Sequence, residues 1–347
     1  MPTSTPESPV AVHQMPADFE HVPCLLCQAD EPKVAVEGTR VHGDHVEPFT
    51  VVRCGKCDHL YLNPRPRLDV LGRYYEDAYY TLLEDAPKTS PKKLRRERRA
   101  QAALRQHFNY PGDTPKTFWR KLWTLPTALW LKWSTRAFDA LPWAGQGKLC
   151  DFGCGGCGFL RQQRDRGWDV CGVDFSEGAA TRAIEEDKLD VAVGTWPGPA
   201  REGETFDVIT GFHVIEHLPD PEAWVRAAAA KLNPGGYFLI CCPDADSWAY
   251  KKFKQDWYGL DPPRHFSNFT KAKVAGLMKA AGLEVVRIRP QSRDATLLRS
   301  AALRAKRTGS GWWKFLSGSK IWWKPVALLS GWFAKADGMV ITARKPV

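Results

Sequence analysis

Three groups of residues carry side chains and spacings that could do chemistry. The first is a cysteine quartet: Cys24-Leu-Leu-Cys27 and Cys54-Gly-Lys-Cys57 are two CxxC pairs separated by 26 residues. Each pair can wrap a tight turn around one metal ion, and four thiolates complete the closed tetrahedral shell that zinc prefers at structural sites. A closed shell leaves no position for substrate, so the expected zinc is a staple and not a catalyst; His42, His45 and His59 are not needed as ligands. The second group is Asp151-Phe-Gly153-Cys-Gly155-Gly156-Cys157-Gly158. Its glycines let the chain turn sharply and let a ligand approach the backbone. Asp174, 23 residues after Asp151, is spaced to accept hydrogen bonds from ribose hydroxyls. The third group comprises Glu216-His217 in VIEHLPDP and Asp261-Pro-Pro-Arg264-His265. Imidazoles beside carboxylates suit removal of a proton from an acceptor, although the Glu216-His217 pair could equally cap the helix that starts at Pro221.

Positioning these groups requires particular elements. The run 148–152 reads as a buried strand opening into the glycine loop and then a helix, and 169–174 reads as a second strand ending on Asp174. A third strand at 191–193 leads into Gly194-Thr195-Trp196, and a fourth ends at Phe212-His213. Cys241-Cys242 lies in an apolar strand and reads as core. The polar stretch around Asp244 and Asp246 is expected to shape an acceptor pocket. Tyr75 and Tyr79, four apart, would share a helix face and either present their hydroxyls to a polar ligand or pack on the next domain. Trp119, Trp123, Trp130 and Trp133 recur as one helical stripe, but Pro126 falls inside it and predicts a kink or two shorter helices.

At 347 residues, 44% apolar and 25% charged, the chain can bury a large core, which excludes wholesale disorder and a minimal disulfide fold. The net charge of +10 is unevenly spread. Residues 88–107 carry eight Lys/Arg against one Glu, and 291–336 carry nine against one Asp, so the rest of the chain is net acidic. An anionic partner should meet those two basic stretches first. Ten cysteines behind a polar, Pro-rich start with no signal-peptide pattern read as thiols or metal ligands, and cytoplasmic residence is expected. No apolar run reaches the roughly 20 residues of a bilayer span. The pairs Trp312-Trp313-Lys314 and Trp322-Trp323-Lys324 suit the inner face of an anionic membrane, or a lid packed on the core. Nucleic acid is not the expected partner, because the tryptophans are paired and flanked by aliphatics. The sequence carries no signature of a particular oligomeric state.

The strings DFGCGGCGFL, GWDVCGVDFS, FDVITGFHVIEHLPDP and LNPGGYFLICCPDADS resemble the class I S-adenosylmethionine-dependent methyltransferases. With the cysteine quartet in front, the chain resembles bacterial members with an N-terminal zinc-binding domain, including sugar C-methyltransferases, and its catalytic half resembles ubiquinone-pathway O-methyltransferases. The resemblance implies an α/β fold, a Rossmann-like seven-stranded sheet with helices on both faces, plus a small N-terminal zinc-binding domain. It implies a disordered tail at 1–20, the zinc-binding domain at 21–85, a basic, Trp-rich helical linker at 86–145 and the methyltransferase domain at 146–347, with an insertion at 291–336. It further implies that Asp151, Gly153 and Gly155 hold the amino-acid part of S-adenosyl-L-methionine and Asp174 its ribose. Phe175, Thr195 and Trp196 would border adenine, with Phe212 and His213 near the sulfonium. Cys157 stands where the family has its third glycine. His217, His265 and Glu216 become the catalytic candidates, and Cys24, Cys27, Cys54 and Cys57 the zinc ligands. The expected reaction is methyl transfer to a small-molecule or lipid-linked glycan acceptor in cell-surface glycan biosynthesis. The alternatives are O-methylation of a quinone or other apolar metabolite, and a non-catalytic binding module.

Overall fold

The computed structural model describes residues 17–42, 45–75, 90–112, 117–133, 140–195 and 201–347. In chain order, β1 (Phe19–Glu20), β2 (Pro32–His42), β3 (His45–Cys54), β4 (Leu60–Leu62) and β5 (Arg65–Pro66) come first, followed by a 3-10 turn at Leu68–Tyr74. Helices α1 (Pro91–His107) and α2 (Phe118–Trp133) lead to β6 (Lys148–Phe152), α3 (Gly158–Asp165), β7 (Asp169–Asp174), α4 (Glu177–Glu185), β8 (Asp190–Val193) and β9 (Phe206–Phe212). Then come α5 (Pro221–Lys231), β10 (Leu232–Pro243), α6 (Trp248–Phe253), β11 (Ser267–Asn268), α7 (Lys271–Ala280) and β12 (Glu284–Gln291). Helices α8 (Asp294–Thr308), α9 (Gly311–Ser317) and α10 (Trp323–Trp332) precede β13 (Gly338–Arg344).

A seven-stranded sheet in the order β12-β13-β10-β9-β6-β7-β8 forms the centre, with β13 antiparallel to both neighbours. The remaining neighbours along β10-β9-β6-β7-β8 are parallel. Strands buried on both faces favour apolar residues on both sides, which is why β6, β7 and β9 are mostly apolar, the exceptions being such residues as Asp151, Asp174, Asp207 and Thr210. Leu149, Val170 and Val208 point into one layer with Ala103 and Leu104 of α1, Leu131 of α2 and Leu160 of α3. Cys150, Cys171 and Ile209 point into the other, with Trp224 of α5 and Val274 of α7. The chain reverses its strand order between β6 and β9, and an open α/β sheet takes its ligands at the carboxyl ends beside such a point.

A second sheet, β11-β4-β3-β2, joins the two ends of the chain, because β11 comes from the catalytic half. Val51 and Leu62 of this sheet share a third core with Phe253 of α6, Leu297 of α8 and Trp323 of α10. The segment between β12 and β13 is therefore packed against the N-terminal sheet.

Of the two outcomes expected at Pro126, that of two shorter helices is overturned: α2 is continuous through the proline. The missing N–H leaves only the carbonyl one turn earlier, at Leu122, without its helical donor, and Leu122 is exposed, so water can take it. Among the described residues no helix is long and apolar enough to cross a membrane.

Candidate active site

A cleft of about 1640 Å³ runs along the carboxyl ends of β6, β7, β9 and β10. At one end lies the glycine loop. Gly153 and Gly155 have φ of +69° and +48°, the left-handed region where L side chains are disfavoured. A Cβ on Gly153 would also stand 2.5 Å from Val214 Cγ2. Cys157 adopts the same handedness, φ +55°, at the start of α3, and its thiol is buried 3.5 Å from Cys154 Sγ. The residue in the third-glycine position thus turns its side chain into the core.

Two carboxylates flank the loop. Asp151 is buried and accepts from Thr210 Oγ1 at 2.6 Å. Burial lifts its carboxyl to about 8, against the Thr210 hydrogen bond and with a further push from Asp174. Asp174 accepts from Gly155 N–H at 2.7 Å and Ser176 N–H at 2.9 Å, and burial raises it. Phe175 and Thr195 line the same end of the cleft, and Trp196 lies outside the described residues.

β9 and the turn after it deliver the next group. His213, left-handed at φ +60°, places Nδ1 3.0 Å from Glu216 Oε1. Burial would push Glu216 up, but the His213 imidazole holds it down; burial would push His213 down, but Cys241 and then Glu216 raise it. Glu216 Oε2 is buried and has no hydrogen-bond partner. Donor atoms of Glu216, His217 and His265 all lie within 4.8 Å of one another.

The two histidine rings meet edge to face, with centroids 4.5 Å apart. His217 Nδ1 is 3.0 Å from the Arg264 carbonyl, and His265 Nδ1 is 2.9 Å from the Gly259 carbonyl. A carbonyl only accepts, so a proton on Nδ1 satisfies each of these contacts and leaves Nε2 with a lone pair, the Tyr75 hydroxyl then accepting a second bond from His217. Burial pushes His217 down to about 4 and also lowers His265, so both are neutral near pH 7. Tyr75 brings its hydroxyl to 2.8 Å from His217 Nδ1 and its ring edge onto Phe175. Tyr79 lies outside the described residues.

Arg264 forms a fork on Asp261 with two 2.9 Å bonds, and His265 and Arg264 keep that carboxyl well below its usual range despite burial. The far wall comes from Tyr258, Arg293, Thr296 and Arg299, with Arg299 donating to the Tyr258 hydroxyl at 2.8 Å. Sequence reasoning counted Arg293 and Arg299 only as surface charge. Their spacing with Thr296, three and three along one helix face, was the available signal. Asp244 and Asp246 do not shape the pocket. They make ion pairs to Lys271, and to Lys251 and Lys335, away from the cleft.

The four N-terminal cysteines sit in two turns, with Cys24 and Cys57 sulfurs 3.5 Å apart and Cys27 and Cys54 likewise. All four sulfurs lie within 4.8 Å of one another, close enough to share one metal ion. The cluster connects to the histidines through β4. Leu62 N–H donates to the Phe266 carbonyl at 2.9 Å, and Phe266 N–H donates to the Glu216 carbonyl at 2.8 Å.

A family model described as a methyltransferase domain matches residues 95–288, more than half of the chain. The "Ubiquinone biosynthesis O-methyltransferase" of Ralstonia nicotianae is 32% identical over 162 residues, covering 43% of this chain and 67% of that one. Its namesake from Idiomarina loihiensis is 35% identical over 111 residues, 29% of this chain and 45% of that one. Beyond the Ralstonia protein, the chain spans about half the length of the curated relatives it matches. A crystal structure of an S-adenosylmethionine dependent methyltransferase from Mesorhizobium loti superposes with a TM-score of 0.43 at 17% identity, covering 62% of this chain and 100% of that one. The glycine loop at the strand-order reversal, the paired carboxylates and the matched family model together make this chain a member of the methyltransferase-domain family of S-adenosylmethionine-dependent enzymes.

Proposed function

We propose that the protein methylates a hydroxyl oxygen of an apolar or lipid-linked acceptor, with His217 as the base. The observation that carries this reading is a pair of buried imidazoles lining the cleft, each with Nδ1 against a backbone carbonyl, so that a proton on Nδ1 leaves Nε2 free to act as a base. The cofactor fits the donor set of the opposite end. The glycine loop brings backbone without side chains to the cleft, and Asp174, whose two oxygens each accept one backbone N–H, keeps further lone pairs for a ribose. Asp151, Gly153 and Gly155 would receive the amino-acid portion, Phe175, Thr195 and Trp196 the base, and Phe212 and His213 would lie near the sulfonium. When bound, S-adenosyl-L-methionine supplies an electrophilic methyl group, so the chain's own task is to align the acceptor and take its proton.

In this scheme the acceptor O–H proton passes to His217 Nε2 as the oxygen attacks. The ionised Glu216, with one oxygen free of hydrogen bonds, faces the imidazolium that results. His265 buttresses the ring from below. The names of the sequence relatives favour a quinone-type hydroxyl over the carbohydrate of a surface glycan. The glycan acceptor remains a second reading because the far wall, with Arg264, Arg293 and Arg299, is more polar than a quinone ring requires. The four cysteines would hold one structural zinc.

His217→Ala should lower turnover by about a hundredfold while cofactor affinity holds, because proton transfer enters the transition state and not cofactor binding. His265→Ala should cost less. The acid limb of kcat/KM should fall near pH 4 to 5, since a base held down at about 4 stays unprotonated above that range. Equal mild losses in both variants, or an acid limb near 6.5, would remove His217 from this role.

A further inference from the structure

We propose that α2, α9 and α10 form a docking surface for a bilayer containing anionic lipid. A helix packed on a soluble core turns its largest apolar side chains inward. α2 does the opposite: it buries Thr124, Ala128 and Leu131 and leaves Trp119 75% and Trp123 69% exposed. In α9 and α10, Trp323 is buried and Trp313 packs beside it on Phe253, while Trp312 is 64% and Trp332 87% exposed. Tryptophan at this exposure is costly in water and favourable at headgroup depth.

Charge identifies the occupant. Between Asp294 and Asp337 the sequence has no carboxylate, and Lys314, Lys320 and Lys324 are exposed among the tryptophans. α2 contains no acid and is flanked by the cationic α1, whose Arg96 lies 5.7 Å over the Trp130 ring. The two patches meet at one edge strand. Arg287 of β12 donates to the Lys132 carbonyl of α2 at 2.9 Å. Just beyond the other end of β12, a Cβ on Gly331 of α10 would stand 2.7 Å from Ser292 Oγ. Val286 and Ile288 of β12 are exposed as well. A second copy of the chain would set lysine against lysine on such a face. An RNA strand could stack on the indoles but would leave Leu122, Leu129, Ile321 and Leu328 in water. Acyl chains beneath anionic headgroups satisfy both the aliphatic and the cationic groups.

The same insertion supplies Thr296 and Arg299 to the cleft wall, so docking would bring the cleft mouth to the lipid from which an apolar acceptor is drawn. That last step rests on the proposed acceptor, whereas vesicle binding is read without any turnover. Intact protein should float with vesicles of mixed phosphatidylglycerol and phosphatidylcholine, and about a hundredfold less with phosphatidylcholine alone, given three lysines at the surface. Raised salt should weaken the binding. The variant W119S/W123S/W312S/W332S should lose at least about tenfold in vesicle affinity while its melting temperature and S-adenosyl-L-methionine binding stay unchanged. In the unaltered protein, bromine-labelled lipid should quench tryptophan fluorescence. No flotation at low salt, flotation undiminished in the variant, or an absence of quenching would overturn the proposal. So would vesicle-independent dimerisation or RNA binding that the same substitutions abolish.

Discussion

Asp151 is the residue on which cofactor chemistry and protein energetics meet. Its folded value of about 8 lies above the unfolded value near 3.8, so the folded chain holds a proton there that the unfolded chain releases. The stabilising protonation is complete below about pH 4 and is lost as pH rises through 8. A ligand carrying an ammonium and a sulfonium reverses the preference, because a nearby cation favours the ionised carboxylate. We therefore expect S-adenosyl-L-methionine to release close to one proton per site on binding at pH 7. Its dissociation constant should fall by up to about tenfold per pH unit until about pH 8 and then level off. Calorimetry in buffers of different ionisation heats measures the proton directly, and Asp151→Asn should abolish the release. A pH-independent affinity with no proton released would show that Asp151 does not face the cofactor's charge.

At the scale of elements, the junction between β4 and β11 ties the cysteine cluster to the histidines. Cys57 lies three residues before β4, Ser267 follows His265 by two, and His59 Nε2 meets Ser267 Oγ at 3.1 Å across the pairing. Removing the proposed zinc with a chelator should loosen this pairing first. We expect hydrogen-exchange protection at 60–62 and 266–268 to fall by at least about tenfold, with turnover dropping more than cofactor affinity. Unchanged protection at both segments would detach the cluster from the active site. The junction was not legible in the sequence. A two-residue strand has no periodicity, and its partner lies some two hundred residues away. The central strands were legible because burial on both faces makes them mostly apolar over short runs, and the glycine loop because its φ values admit few other residues. Pro126 misled only in allowing two separate helices, since a proline is carried inside a helix where the carbonyl it orphans lies on an exposed turn. Asp244 and Asp246 misled because polar character alone cannot distinguish a pocket from an internal ion pair.

Across the whole molecule, three cores enclose one cleft. Two flank the seven-stranded sheet, and the third binds the N-terminal sheet to the segment between β12 and β13. The cleft runs between these bodies, so its glycine-loop end belongs to the nucleotide-type sheet and its far wall to the attachments. The charge follows the same division, with the basic surplus on α1 and on the segment after β12 and a net acidic remainder. On the proposed reading, cofactor and acceptor fall on different parts of the chain, and cofactor binding at the sheet is the claim on which the rest depends. The most direct test is a calorimetric titration of the intact, zinc-loaded protein with S-adenosyl-L-methionine. One site per chain, weakened at least about tenfold by Asp174→Ala through loss of its charge-assisted hydrogen bonds, is the predicted result. An absence of binding, or full binding in the Asp174→Ala variant, would contradict it.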